Sequence, residues 1–357
     1  MQHIIEANPA ANQAASSPVS AALLTVDENA DGQRLDNFLL RQLKGVPKTH
    51  VYRIIRSGEV RVNKGRAQAD SRVVTGDVVR IPPIRVSEKI AEKATLGALS
   101  STPAREFPIL WEDEHLLAID KPAGVAVHGG SGVSFGVIEQ LRRARPQAKF
   151  LELVHRLDRE TSGILLVAKK RSALLQLQDQ FRGRETGKTY LALVVGKWPA
   201  NKKVLDKPLV KFLLPGKDGL TRQGGLGVQD GERRVKVTGK DDPLGMKSVT
   251  LVKVAQRMER QGADFTQLEV TIKTGRTHQI RVHLASEACP IAGDDKYGNF
   301  DINKALQKQG LKRMYLHAWR LQFTHPATGE RCELNAELPP ELAQFMAKPH
   351  GSTAPFG

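Results

Sequence analysis

Cysteine is nearly absent from this chain: Cys289 and Cys332 are the only two among 357 residues. Two thiols cannot build a disulfide framework or a cysteine-based zinc site, and their scarcity fits a reducing compartment, most simply the cytoplasm. Long apolar runs are missing as well. No window approaches the ~18 consecutive apolar residues of a transmembrane helix, so no membrane span is expected. Residues 1–20 lack the basic start and apolar stretch of a secretion signal and are expected to form a disordered tail. Nucleotide-binding glycine motifs are absent too. Neither GxxxxGK[S/T] nor a GxGxxG opening a helix after a strand occurs, so no nucleotide cofactor is expected. His278 and His283 lie five apart, off the i,i+4 spacing of a helical metal pair, and His128, His155, His317 and His325 fall singly in separate segments. Three could still converge in space, but no catalytic metal is expected.

Acidic residues are scarce relative to basic ones: 38 Asp and Glu against 54 Lys and Arg give a net charge of +16. Such an excess points to a polyanionic partner, nucleic acid being the commonest. It can also serve solubility alone, so its location matters. Apolar content of 40% and charged content of 26% are ordinary for a globular protein. The length suffices for two or three domains, each with its own core.

Composition divides the chain into the tail at 1–20, a compact unit at 21–86, a linker at 87–104, a larger domain at 105–345 and a frayed end at 346–357. In the first unit, Leu35, Phe38, Leu39 and Leu43 recur at helical spacing. A second helix is expected in THVYRIIRSG, with Thr49 as N-cap and Gly58 as its stop. VRVNKGR turns at Asn63–Gly65, and GDVVRIPP supplies a closing strand. Between Arg34 and Arg66 stand nine Lys and Arg but only two acids, Asp36 and Glu59. That imbalance marks Arg34, Lys44, Lys48, Arg53, Arg56, Arg61 and Lys64 as candidate phosphate contacts. The run RLDNFLLRQLKGVPKTHVYRIIRSGEVRVNKGR resembles an S4 domain, the small α-L RNA-binding module. The resemblance implies binding to folded RNA and says nothing about chemistry.

The larger domain shows long consecutive strands with interspersed helices, which predicts an α+β fold with a largely antiparallel mixed sheet. A hairpin is expected around Glu112–Glu114, a helix entered near Ser134, and strands in KTYLALVVG, MKSVTLVKVAQRM and DFTQLEVTIKTG. RTHQIRVHLASE reads as a helix, and a last hairpin turns at Pro326–Gly329. The Gly- and Lys-rich segment 199–246 reads as a mobile insertion.

Candidate chemistry narrows to one acid. Ser162 is not in a GxSxG elbow, and TSG fits a tight turn between strands. The glycines of KPAGVAVHGGSG permit a close backbone approach to a ligand. Asp158, in LVHRLDRETSGILLVAKK, is bracketed by Arg156 and Arg159 between two apolar runs. A solvated turn residue is one reading. An acid at the end of a buried strand, held ionised by arginine, is another, and it suits a nucleophile better than a general acid. No second carboxylate occupies a comparable context, as a glycosidase would require.

HRLDRETSGILLVAK resembles the central motif of the RluA-type pseudouridine synthases, with DKPAGVAVHGG upstream and GRTHQIRVHLA downstream in the order of that family. The likeness covers residues 105–340 and lies closest to the family's large-subunit ribosomal RNA synthase C branch. It implies a pseudouridine synthase catalytic domain behind the S4 domain, converting uridine to pseudouridine in 23S ribosomal RNA. The same chemistry on transfer RNA, or a non-catalytic role in ribosome assembly, stands as the alternative. By motif, Asp158 is the catalytic aspartate, Tyr190 stacks on the base and helps remove the C5 proton, and Arg281 pairs with the aspartate. Without that match, Tyr190 reads equally well as a core strand tyrosine. Arg156 is expected to occupy the space left by the flipped nucleotide, with His128, Thr161, Arg276 and His278 also set against the RNA. The family reaction involves no redox change, hydrolysis or group transfer, so no cofactor is implied, and nothing demands more than a monomer.

Overall fold

The computed structural model describes residues 21–43, 46–84, 102–129, 135–214, 223–224, 228–229 and 232–347. The chain forms two compact units, Met1–Ser101 and Thr102–Gly357. The expected tail at 1–20, Lys44, most of the expected linker and nearly all of the C-terminal end lie outside the described residues.

The first unit comprises β1 (Ala22–Thr25), α1 (Leu35–Gln42), α2 (Lys48–Arg56), β2 (Arg61–Val62), β3 (Gly65–Arg66) and β4 (Val78–Ile81). Its strands form an antiparallel sheet in the order β1-β4-β2-β3. Leu35, Phe38 and Leu39 of α1 meet Val51, Ile54 and Ile55 of α2 over Val79 and Ile81. The expected N-cap at Thr49 is corrected: α2 begins at Lys48 with Pro47 at the cap. Proline's fixed φ sets the chain's entry into the helix there. Asn63 and Lys64 both have positive φ, 48° and 67°, giving the primed turn that matches strand twist. Asn63 is held in it by Asp77 Oδ1 at 2.7 Å and by the Val78 amide at 2.9 Å.

The second unit opens with the hairpin β5 (Ile109–Glu112) and β6 (Leu116–Lys121), followed by α3 (Val137–Ala144), β7 (Glu152–Leu153), β8 (Ser162–Ala168) and α4 (Arg171–Gly183). Next come β9 (Gly187–Val195), β10 (Val204–Asp206), β11 (Leu209–Leu214), β12 (Gln223–Gly224), β13 (Val228–Gln229) and β14 (Glu232–Val237). The long hairpin β15 (Val249–Arg260) and β16 (Ala263–Ile272) precedes α5 (Gln279–Ala285) and α6 (Phe300–Lys308). β17 (Leu316–Thr324), β18 (Arg331–Asn335) and α7 (Pro340–Ala347) close the fold. The main sheet runs β10-β15-β16-β9-β17-β8-β6-β5, with β18 on β17 and β7 on β8. Among the described strands only β8 and β17 pair in parallel, so the sheet is mixed and largely antiparallel. The fold is α+β.

β8 is buried along its whole length, which is why SGILLVA is an unbroken apolar run. Ile164, Leu166 and Ala168 face Ala173, Leu174 and Leu177 of α4. Leu165 and Val167 face Val137, Ile138 and Leu141 of α3. The helix expected near Ser134 starts at Val137, where Gly136 is the N-cap and donates its N–H to Glu139 Oε2 at 2.8 Å.

Ser162 and Gly163 are the first residues of β8 rather than a turn. Gly163 has φ +107°, and a Cβ there would lie 2.3 Å from the Ala318 carbonyl oxygen of β17. Gly163→Ala is therefore expected to cost about 3–5 kcal/mol, from strain and overpacking together. Denaturant melting checks this, and a wild-type midpoint would contradict it.

The segment 199–246, expected as a mobile insertion, carries regular strands among its described residues. β10 forms the edge of the main sheet, and β11 pairs with β14 over six residues. Leu209 and Val235 bury themselves against Val282 of α5. The alternation of Val235 and Val237 in ERRVKV was the strand signal.

Candidate active site

Of the two readings for Asp158, a turn residue or the end of a buried strand, the structure has the turn: it lies between the two-residue β7 and β8. The turn is held from within: the Thr161 N–H donates to the Asp158 carbonyl at 3.1 Å and the Gly124 N–H to the Arg159 carbonyl at 2.8 Å. Lys121, fully buried, donates from Nζ to the carbonyls of Pro122, Val125 and Arg159 at 2.8, 2.9 and 3.1 Å. Three acceptors match the three N–H groups of an ammonium. Burial pulls the Lys121 pKa down to about 7, so loss of the third donor falls near neutrality. This lysine, inside DKPAG, ties the His128 loop to the HRLD turn. His155 anchors the other side, accepting the Leu166 N–H on Nε2 at 3.1 Å, with its ring stacked on Phe181.

Two cationic or donor groups approach the Asp158 carboxylate. Arg281 Nη1 lies 3.4 Å and His278 Nε2 3.9 Å from Oδ2. Arg281 is nearly buried, and its strongest contacts are elsewhere. Its Nε and Nη2 grip Asp294 Oδ2 and Oδ1 at 2.8 and 2.7 Å. Burial opposes ionisation of Asp294, but the Arg281 hydrogen bonds and charge outweigh it and hold its pKa below the usual range. The amides of Lys296 and Tyr297 also donate to Asp294 Oδ1. Asp294 thus orients Arg281, leaving one amine group for Asp158.

Asp158, Arg156, His278 and Arg281 border two cavities. The outer, about 580 Å³, is walled by His128, Lys296, Lys312 and Arg313. The inner, about 110 Å³, is lined by Tyr190, Thr161, Arg276, Ile280 and Leu316. Tyr190 stands on β9 opposite Val270 and Ala318. Burial, with the charge of Asp158 adding, raises its pKa well above the ordinary phenol range. A phenol so held can take a proton only if another group removes its own in the same step.

The remaining expectations divide. Arg156 is exposed, with no side-chain partner among the described residues, and His128 is exposed at the outer cavity. Arg276 lines the inner cavity and reaches the Lys247 carbonyl at 3.3 Å. Thr161 is buried at the wall of the inner cavity, and its amide serves the Asp158 turn. Ser162 Oγ accepts from Arg313 Nη2 at 2.7 Å and, because the neutral His317 ring spends its N–H on the Ala336 carbonyl, donates to His317 Nδ1 at 2.8 Å, a structural pair.

In the first unit, Arg34 is bound to the buried Asp36 at 2.8 Å, which gives it a part in holding the fold. Arg53 pairs with Glu59 at 3.3 Å, and Arg56 returns to the Tyr52 carbonyl. Lys48 and Lys64 are exposed and Arg61 is half-buried on β2. Arg34, Arg56 and Arg66 share one cavity wall. Among the described residues no three His, Cys, Asp or Glu side chains group to hold a metal, and no helix is long and apolar enough to cross a membrane.

The pattern of the RNA pseudouridylate synthase family matches residues 115–286, and that of the S4 domain matches residues 33–79. A Pasteurella multocida (strain Pm70) protein named Ribosomal large subunit pseudouridine synthase C is 49% identical over 325 residues, spanning 91% of this chain and 92% of that protein. The chain belongs to the RNA pseudouridylate synthase family. Another relative of the same name, from Escherichia coli (strain K12), is 48% identical over 92% of this chain and 96% of its own length. The structure of Human RNA Pseudouridylate Synthase Domain Containing 4 matches 67% of this chain and 91% of its own at a TM-score of 0.51 and 28% identity. As a member of the RNA pseudouridylate synthase family with an S4 domain, the chain is an isomerase acting on RNA.

Proposed function

We propose that this chain isomerises specific uridines to pseudouridine in the 23S RNA of the large ribosomal subunit, with Asp158 as the catalytic carboxylate. The observation that carries the reading is the position of Asp158: between Arg281 and His278, at the junction of a wide basic cleft and a base-sized chamber bordered by Tyr190. The names of the 49% and 48% identical relatives support the ribosomal target.

RNA enters the outer cleft along its basic wall, and one uridine leaves its stack at a cost of a few kcal/mol. Arg156, the free guanidinium at the boundary, fills the space the nucleotide vacates. The inner chamber receives the base against the Tyr190 ring. Asp158 then either attacks C1′ or takes a sugar proton to give a glycal. In both routes the C–N glycosidic bond breaks, the uracil turns, C5 joins C1′, the C5 proton is lost and N1 takes one up; in the glycal route the sugar also regains the proton that Asp158 took. Reactant and product are isomers, so the step requires no oxidant, reductant or cofactor. Phosphate contacts from the S4 unit, by Lys48, Arg53, Arg56, Arg61 and Lys64, offset the cost of flipping. The chain acts as a monomer in the cytoplasm, away from membranes.

The experiment is pseudouridine mapping by chemical probing after incubation with unmodified 23S, 16S and transfer RNA transcripts. Modification confined to 23S RNA is expected. Modification of transfer RNA alone would overturn the assigned target.

A further inference from the structure

Tyr297 touches both groups that approach Asp158. Its hydroxyl lies 2.7 Å from His278 Nδ1, and its ring carries the Arg281 guanidinium at 5.2 Å and meets the His278 ring edge-on at 5.5 Å. The hydroxyl has a second partner, the Val235 amide of β14, which donates to it at 3.1 Å. A backbone N–H cannot accept, so that contact uses a lone pair of the tyrosine oxygen. Its one hydrogen then has His278 Nδ1 as its only acceptor among the described residues. With Nδ1 accepting, a neutral imidazole carries its proton on Nε2, the atom that faces Asp158. The opposite tautomer would leave the phenolic hydrogen without an acceptor and turn a lone pair towards the carboxylate.

The backbone agrees. His278 has φ +54°, an uncommon conformation for a side-chain-bearing residue, held just before α5 begins. Neighbouring β14 reinforces the arrangement, with Arg234 Nη1 donating to the Lys296 carbonyl at 2.6 Å. The charged groups around the imidazole are Asp158, Arg281, Lys296 and Asp294.

We propose that Tyr297 is a positioning residue whose hydroxyl, set by the Val235 amide of the β11–β14 strand pair, fixes His278 in the tautomer that presents Nε2–H to Asp158. The segment that reads from sequence as a mobile insertion therefore reaches the reacting carboxylate through two hydrogen bonds and one imidazole. At 3.9 Å the last contact is longer than a hydrogen bond, and catalytic contacts of this kind tighten once substrate is bound. The proposal rests on Asp158 being the reacting group, but its first test does not.

That test reads the imidazole nitrogen shifts of His278 by NMR in the free protein. Wild type is expected to show the Nε2–H tautomer and Tyr297→Phe a mixture with Nδ1–H; an Nδ1–H tautomer in wild type would overturn the proposal whatever the reaction. The second test is a double-mutant cycle on turnover, with thermal melts confirming that each variant folds. Tyr297→Phe should lower kcat roughly tenfold, with KM within about twofold, in the wild-type background. In the His278→Gln background it should cost less than about twofold. Equal losses in both backgrounds would show that the hydroxyl does not act through His278.

Discussion

Asp294→Ala is expected to lower the unfolding free energy by about 3–5 kcal/mol, because it strands the Arg281 charge in a buried site. Both Asp294 oxygens are engaged by Arg281, at 2.7 and 2.8 Å, and its side chain has no exposed surface. The same substitution frees the guanidinium to turn away from Asp158, so turnover should fall at least about tenfold beyond any loss of folded protein. Urea melts measure the first effect and single-turnover kinetics under stabilising conditions the second. Asp294→Asn keeps the shape and an acceptor for the Lys296 and Tyr297 amides, but it removes the ion pair and turns an amide NH2 against the Arg281 Nε–H. A melt within about 0.5 kcal/mol of wild type for Asp294→Ala would contradict the buried-pair account.

The second large effect is on stability in acid. His317 is fully buried, accepts the Ser162 hydroxyl on Nδ1 and donates Nε2–H to the Ala336 carbonyl at 3.2 Å. Burial, with Arg313 nearby, pulls its pKa from 6.5 down to about 4. The folded state therefore keeps the ring neutral, whereas the unfolded chain takes up a proton as pH falls through 6.5. Stability from this histidine is complete above that pH and is lost progressively down to about 4, a change on the order of 3 kcal/mol. His155, also lowered to about 4 by burial, adds to the loss in the same direction. Melting temperature measured from pH 7 to pH 4 should fall steeply, and His317→Gln should flatten part of that limb. A flat profile over this range would refute the assignment.

Much of the fold was legible because the signals were local. The apolar run of β8, the long paired strands of β15 and β16, and the turn at Asn63–Lys64 each follow from a short stretch of chain. The HRLD and GRTHQIR motifs likewise brought Asp158, His278 and Arg281 to notice, and the structure places them within 4 Å of one carboxylate oxygen. Asp294 and Tyr297 escaped because GDDKYG reads as a polar surface turn, and only the approach of α5 buries its first acid. Lys121 escaped for a similar reason: one of its three acceptors, the Arg159 carbonyl, lies 38 residues further along the chain. The ordering of β14 was missed because the neighbouring glycines and lysines masked a two-residue alternation whose partner, Val282, lies in another segment.

The central claim is that Asp158, aimed by Arg281 and His278, carries the isomerisation. Release of tritium from uracil C5 in a 23S transcript, wild type against Asp158→Asn, tests it directly. Tritium should appear in water with wild type and stay in the RNA with Asp158→Asn, although both proteins bind the transcript and melt alike. Release by Asp158→Asn at a comparable rate would contradict the account and move the chemistry to another residue.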